Sequence, residues 1–169
     1  MKEVYDSLLE LQELDREIAK AKRRVSEIEA ELEVATRPVT DLEKEVGALR
    51  TDLDQTREKG RKLERAAEQK RDRLKQYEER MNRVRNAREE AAVQTEVDLV
   101  RKAAETDETE ALQMMEMSTR KELKASELET RLESTRKEIA PQESELTGQR
   151  DEAAAALADL QDRRTSRIS

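Results

Sequence analysis

Residues 81–90, "MNRVRNAREE", lie close to the middle of the 169-residue chain and mark the place where a long apolar rhythm stops. If a helix runs through them, the chain is one span that must find its partner on another molecule. If the chain turns there, its two halves can partner each other. The fold therefore depends on what lies to either side.

On the N-terminal side, apolar residues recur at alternating intervals of three and four. The series runs from Val84, Met81, Tyr77 and Leu74 down through Leu63, Leu53, Leu42, Ile28 and Ile18 to Leu14 and Leu11. Only Thr56, Gly60 and Lys70 in this series are not apolar, so it is a sustained heptad seam that implies a left-handed supercoil against another helix. A single helix of that length is not stable in water, and a partner helix is required. The C-terminal side carries a weaker seam with the same alternation. It passes from Val93 and Val97 through Asp107, Met114, Leu128, Ile139 and Gln142 to Ala156 and Leu160.

Three features indicate that the second seam is the partner of the first. A reversal near residue 88 faces Val84 to Val93, Met81 to Val97, Leu63 to Met114, Leu49 to Leu128 and Ile18 to Leu160, apolar against apolar. The same alignment sets Lys70, the charged residue of the first seam, opposite Asp107, and a charge in a seam is costly unless paired. Charge runs agree: residues 57–88 hold 13 Lys and Arg against 6 Asp and Glu, whereas residues 89–119 hold 2 against 9. Folding back lays the basic run on the acidic one, whereas a parallel homodimer would set like charges together. Finally, Pro38 and Pro141 fall at nearly the same height of the two arms. Because an interior proline removes a helical hydrogen bond, they predict a shared bend or break.

The opening stretch then reads as a turn. Asn86 followed by Glu89 has the form of a capping box, with Asn86 as N-cap of a second helix, and Glu89 and Glu90 suit the positive end of its dipole. The expected fold is all-α, a long antiparallel two-helix coiled-coil hairpin in a single domain, bent near Pro38 and Pro141. Helix 1 is expected over about residues 3–84, the turn over about 85–88 and helix 2 over about 89–165. The stretch contains neither Gly nor Pro, which leaves a continuous helix in a parallel homodimer as the alternative.

Composition bounds the function. Charged residues make up 44% of the chain and aromatics 1%, too few rings and too many charges for an ordinary globular core. Absence of Cys and His removes thiol and imidazole chemistry and thiolate zinc sites. Acidic pairs as in "ETDETE" suit solvated helix faces, and Gly47, Gly60 and Gly148 are isolated, forming no phosphate loop. A two-helix hairpin offers no concave site, so no enzyme is expected and no cofactor. No apolar run approaches a membrane span and the N-terminus has no signal-peptide core, so a cytoplasmic chain without membrane contact is expected.

Candidate surfaces remain. Met114, Met115 and Met117 are expected to fill the core opposite Gly60 and Leu63. Leu112, Met115 and Leu123 form a second apolar edge off the main seam, the candidate contact with a partner protein or a second copy. Arg83, Arg85 and Arg88 cluster at the turn, but the chain has a net charge of −7 and no interleaved aromatics, so nucleic acid is not the expected partner of this segment.

The opening "LLELQELDREIAKAKRRVSEIEAEL", the tip "VRNAREEAAVQTEV" and the following "ETEALQMMEM" together resemble the coiled-coil portion of the bacterial C4-type zinc-ribbon family. The tip, with Val84, Asn86, Arg88 and Glu89, is similar to that family's V-K/R-N-x-K/R-E pattern. The resemblance implies a helical hairpin followed by a four-Cys ribbon; zinc is then expected only in such a C-terminal ribbon, because the sequence holds no Cys. It also implies a non-enzymatic adaptor whose partners are an RpoN-type sigma factor or flagellar and secretion proteins, with RNA-binding members supplying the alternative of a nucleic-acid-associated regulator.

Overall fold

The structure, a computed structural model, describes residues 2–168, with side chains from Val4 onward. Two helices account for nearly all of it, α1 over Lys2–Met81 and α2 over Ala87–Ile168, packed against each other as an antiparallel hairpin. The chain therefore turns at the opening stretch. Contacts divide it into two units, each built from both arms: Lys44–Glu129, which holds the turn, and Met1–Glu43 with Thr130–Ser169.

The turn occupies residues 82–86, a few residues earlier than the sequence places it. Helix α1 ends by tightening: the amides of Arg83 and Val84 donate to the carbonyls of Arg80 and Met81, at 3.0 and 3.3 Å. Such three-residue closures satisfy terminal carbonyls without a residue in the left-handed region, and none of the described residues has positive φ. A turn without Gly or Pro is possible for that reason. Asn86 then caps α2, its Oδ1 accepting from the Glu89 amide at 2.9 Å while its carbonyl accepts from the Glu90 amide at 3.1 Å. With Asn86 as cap, α2 begins at Ala87 instead of residue 89.

In the Lys44–Glu129 unit the seam is a regular layer of small and branched residues. Leu74, Val93 and Val97 form a buried cluster at the turn end, with Tyr77, Met81, Val84 and Val100 packed on it. Farther along, Leu53, Ala104, Ala111 and Ala125 are buried, all but Ala111 completely. Full burial of one such leucine is worth about 1.5–3 kcal/mol. Gly60 sits in this seam as a matter of space, since a Cβ there would lie 3.3 Å from Met114 Cβ. Met114 is half-buried in that gap, but Met115 and Met117 are exposed, so of the three methionines only Met114 fills the core.

In the other unit, Leu14, Ile18, Ile28 and Leu42 of α1 are buried, with Leu132 and Leu146 of α2. The α2 seam departs here from its expected positions. Gln142 and Ala156 are exposed, and Leu157 is half-buried in place of Ala156. A helix of 3.6 residues per turn drifts against a seven-residue repeat. Within the run "AAAAL" the drift is resolved by burying the leucine, the side chain with more apolar surface to remove from water. Of the expected bend or break, neither proline makes a break: Pro38 lies inside α1 and Pro141 inside α2. Both are exposed, so the carbonyls of Val34 and Lys137, deprived of their helical donors, face water.

Candidate protein-interaction surface

Sequence reasoning singles out a seam charge pair, the tip and an apolar edge, and each has its own geometry. Lys70 donates to Asp107, with Lys70 36% exposed and Asp107 15% exposed at the side chain. A second polar layer, not anticipated as a partnership, lies two heptads away. There Lys121 donates to Thr56 Oγ1 at 2.8 Å and pairs with Asp52 at 2.9 Å, while Thr56 also donates to the Asp52 carbonyl at 2.9 Å. Among the described residues, no buried side-chain nitrogen or oxygen lacks a hydrogen-bond partner. Thr56 is one of the polar positions of the first seam; its alignment with Lys121 at one height is what the reversal adds.

Three arginines of α1 are bound to carboxylates of α2. Arg50 forks between Glu129, at 2.8 Å through both Nε and Nη2, and Glu122, at 2.9 Å. Arg57 reaches the same Glu122 at 3.0 Å, and Arg71 holds Glu108 at 2.7 Å through two parallel bonds. The hydrogen bonds from Arg50 hold the Glu129 and Glu122 carboxyls below their ordinary value, and those from Arg71 do the same for Glu108. In return, Glu129 first and Glu122 second raise the Arg50 guanidinium. These bidentate forks match guanidinium and carboxylate geometry and hold the arms in alignment.

The tip is different. Arg80, Arg83, Arg85 and Arg88 are exposed or near the turn, and none takes part in an ion pair among the described residues. The basic residues of 57–88 that bridge to the acidic arm, Arg57, Lys70 and Arg71, lie farther down the stem. Val84 packs inward, Asn86 is the cap, and Arg88 and Glu89 point to solvent in the first turn of α2.

The apolar edge is present and open. Leu112, Met115 and Leu123 are 60%, 53% and 62% exposed. They lie along one flank of α2, on steps compatible with a single helix face. Leu112 and Met115, with Ala67 and Ala111, line a groove of about 580 Å³ between the helices. Among the described residues no group of three acidic or imidazole side chains is placed to hold a metal ion, and no helix is long and apolar enough to cross a membrane.

Comparison with known proteins returned no matching family model and no matching curated protein. Among solved structures, the chain is similar to CT398 from Chlamydia trachomatis, with a TM-score of 0.73 and 21% sequence identity over 99% of this chain and 71% of that one. At that identity the likeness shows a shared hairpin fold.

Proposed function

We propose that the protein is a non-catalytic adaptor or scaffold that binds a protein partner through its second helix and its tip. What supports this reading most is the contrast between a seam in which every buried polar side-chain atom has a partner and an edge, Leu112, Met115 and Leu123, left open to water. Exposed apolar residues grouped on one face of a rigid element mark interaction sites more often than isolated ones do. The resemblance of the tip sequence to the zinc-ribbon coiled-coil family makes an RpoN-type sigma factor, or a flagellar or secretion component, the partner of first choice, in the cytoplasm. Titrating purified RpoN-type sigma factor with the chain, read by size-exclusion with light scattering, is expected to give a defined complex. Absence of a complex at micromolar concentrations overturns that choice of partner.

A second reading rests on the unpaired tip arginines. Arg80, Arg83, Arg85 and Arg88 are free to neutralise phosphates, which is the alternative role of a nucleic-acid-associated regulator. Binding to a single-stranded RNA that falls steeply with salt and is lost in an Arg83→Ala/Arg85→Ala variant would support it. No binding at low salt dismisses it.

A further inference from the structure

The flank that carries the open edge also has an unusual distribution of charge. On α1, the arginines that face this groove region are already committed to α2: Arg71 to Glu108 at the turn-proximal end, and Arg57 and Arg50 to Glu122 and Glu129 at the other. Between the Lys70–Asp107 and Arg57–Glu122 pairs, no ion pair bridges the two helices among the described residues. Leu112 and Met115 are exposed in that interval. The groove is rimmed there by Glu64, Glu68 and Asp72, carboxylates with no ion pair among the described residues, against the single unpaired ammonium of Lys75. The arginine forks thus cancel charge at both ends and leave a negative rim around an apolar floor.

We infer that this groove seats one helix of a partner protein, amphipathic, with large apolar side chains at three- and four-residue intervals on one face and Lys or Arg along its flanks. The inference rests on the adaptor reading and names its site and the chemistry of its partner. Leu112, Met115, Thr119 and Leu123 advance by three, four and four residues, the spacing at which a third helix laid along α2 presents its own apolar positions. Lysine or arginine stems on its flanks cover apolar surface while their charged ends reach Glu64, Glu68 and Asp72. A second copy fits less well: α1 between residues 44 and 81 exposes no large hydrophobic to set on the edge, and pairing the window with itself brings a rim of the same sign.

Two synthetic helical peptides test this on the full chain. Both carry leucines at the stated spacing and a fluorescent label; one is flanked by lysines, the other by glutamates. Fluorescence anisotropy is expected to show binding of the lysine-flanked peptide, weakening with salt, and at least tenfold weaker or no binding of the glutamate-flanked one. Leu112→Ser, a change at an exposed position that leaves helicity intact by circular dichroism, is expected to weaken binding at least tenfold. Reversing the rim with Glu64→Lys, Glu68→Lys and Asp72→Lys is expected to transfer preference to the glutamate-flanked peptide. Equal binding of both peptides, or binding indifferent to Leu112→Ser, overturns the inference. So does a concentration-dependent dimer by light scattering that Leu112→Ser abolishes, which would assign the edge to a second copy. A chain that binds the sigma factor but neither peptide refutes this groove and leaves the adaptor reading standing; one that binds the lysine-flanked peptide but not the sigma factor refutes only the choice of partner.

Discussion

Removing one member of the Lys70–Asp107 pair is expected to cost different amounts according to which member is removed. Asp107 is the more enclosed group, at 15% exposure, whereas Lys70 retains 36% and a flexible four-carbon stem. In Lys70→Ala the carboxylate is left in the seam without its cation. In Asp107→Ala the ammonium can swing outward to water while its stem still covers the seam. Breaking a buried pair costs about 3–5 kcal/mol, and an exposed pair is worth about 0–1 kcal/mol. A pair with one member enclosed and the other more than a third exposed falls between, so Lys70→Ala is expected to cost about 2 kcal/mol and Asp107→Ala about 1 kcal/mol. The assay is urea denaturation by circular dichroism, with hydrogen exchange on residues 93–111 to localise the loss to this unit. The exchange Lys70→Asp/Asp107→Lys is expected to recover most of the stability. If Asp107→Ala proves the costlier single change, or both fall within about 0.3 kcal/mol of the unaltered chain, the argument from differential burial is wrong.

Other expectations concern the cap, acid, glycines and prolines. Asn86→Ala removes the acceptor for the Glu89 amide and is expected to destabilise by about 1 kcal/mol and speed exchange of amides 88–90; Asn86→Asp should restore nearly all of it. Glu108, Glu122 and Glu129 titrate below their ordinary value of 4.5 when folded. Their contribution is complete above that value and fades as pH falls through the lower folded values, so the urea midpoint should drop on acidification below about pH 4.5, less steeply in Arg50→Gln than in the unaltered chain. Gly47→Ala and Gly148→Ala, where a new Cβ meets nothing within 4 Å, should each stabilise by about 0.5–1 kcal/mol, whereas Gly60→Ala should yield less than either because Met114 must move. Pro38→Ala and Pro141→Ala each restore a helical hydrogen bond at an exposed site and are expected to raise stability by about 1–3 kcal/mol, measured as an increased urea midpoint.

The hairpin was legible in the sequence because several signals converge on one alignment: the heptad seam of α1, the basic run opposite the acidic one, and Lys70 opposite Asp107. Asn86 was legible as a cap because its side-chain acceptor and Glu89 have a fixed spacing. What escaped was set by geometry that spacing does not carry. The exchange of Ala156 for Leu157 depends on accumulated helical drift, and a run of four alanines offers no pattern from which to read it. In the candidate surface, Leu112, Met115 and Leu123 stood out as off the seam, but the negative rim did not. It emerges only once Arg50, Arg57 and Arg71 are seen to be committed elsewhere, which required knowing which carboxylate each one reaches.

The two polar layers of the Lys44–Glu129 unit bear on how the arms find their alignment during folding. Heptad arms can slide past each other by seven residues and still set apolar against apolar, so many nearly equivalent misalignments compete with the native one. The Lys70–Asp107 and Thr56–Lys121 layers are spaced by the same two heptads on both arms. Sliding by one heptad in the sense that brings Met114 opposite Lys70 buries an ammonium against a thioether and strands Asp107 beside Tyr77. Sliding by two heptads in that sense sets Lys70 against Lys121. Each false alignment thus carries its own electrostatic fault, and a seam built largely from repeating aliphatic residues acquires one favoured alignment from a handful of charged and hydroxyl groups.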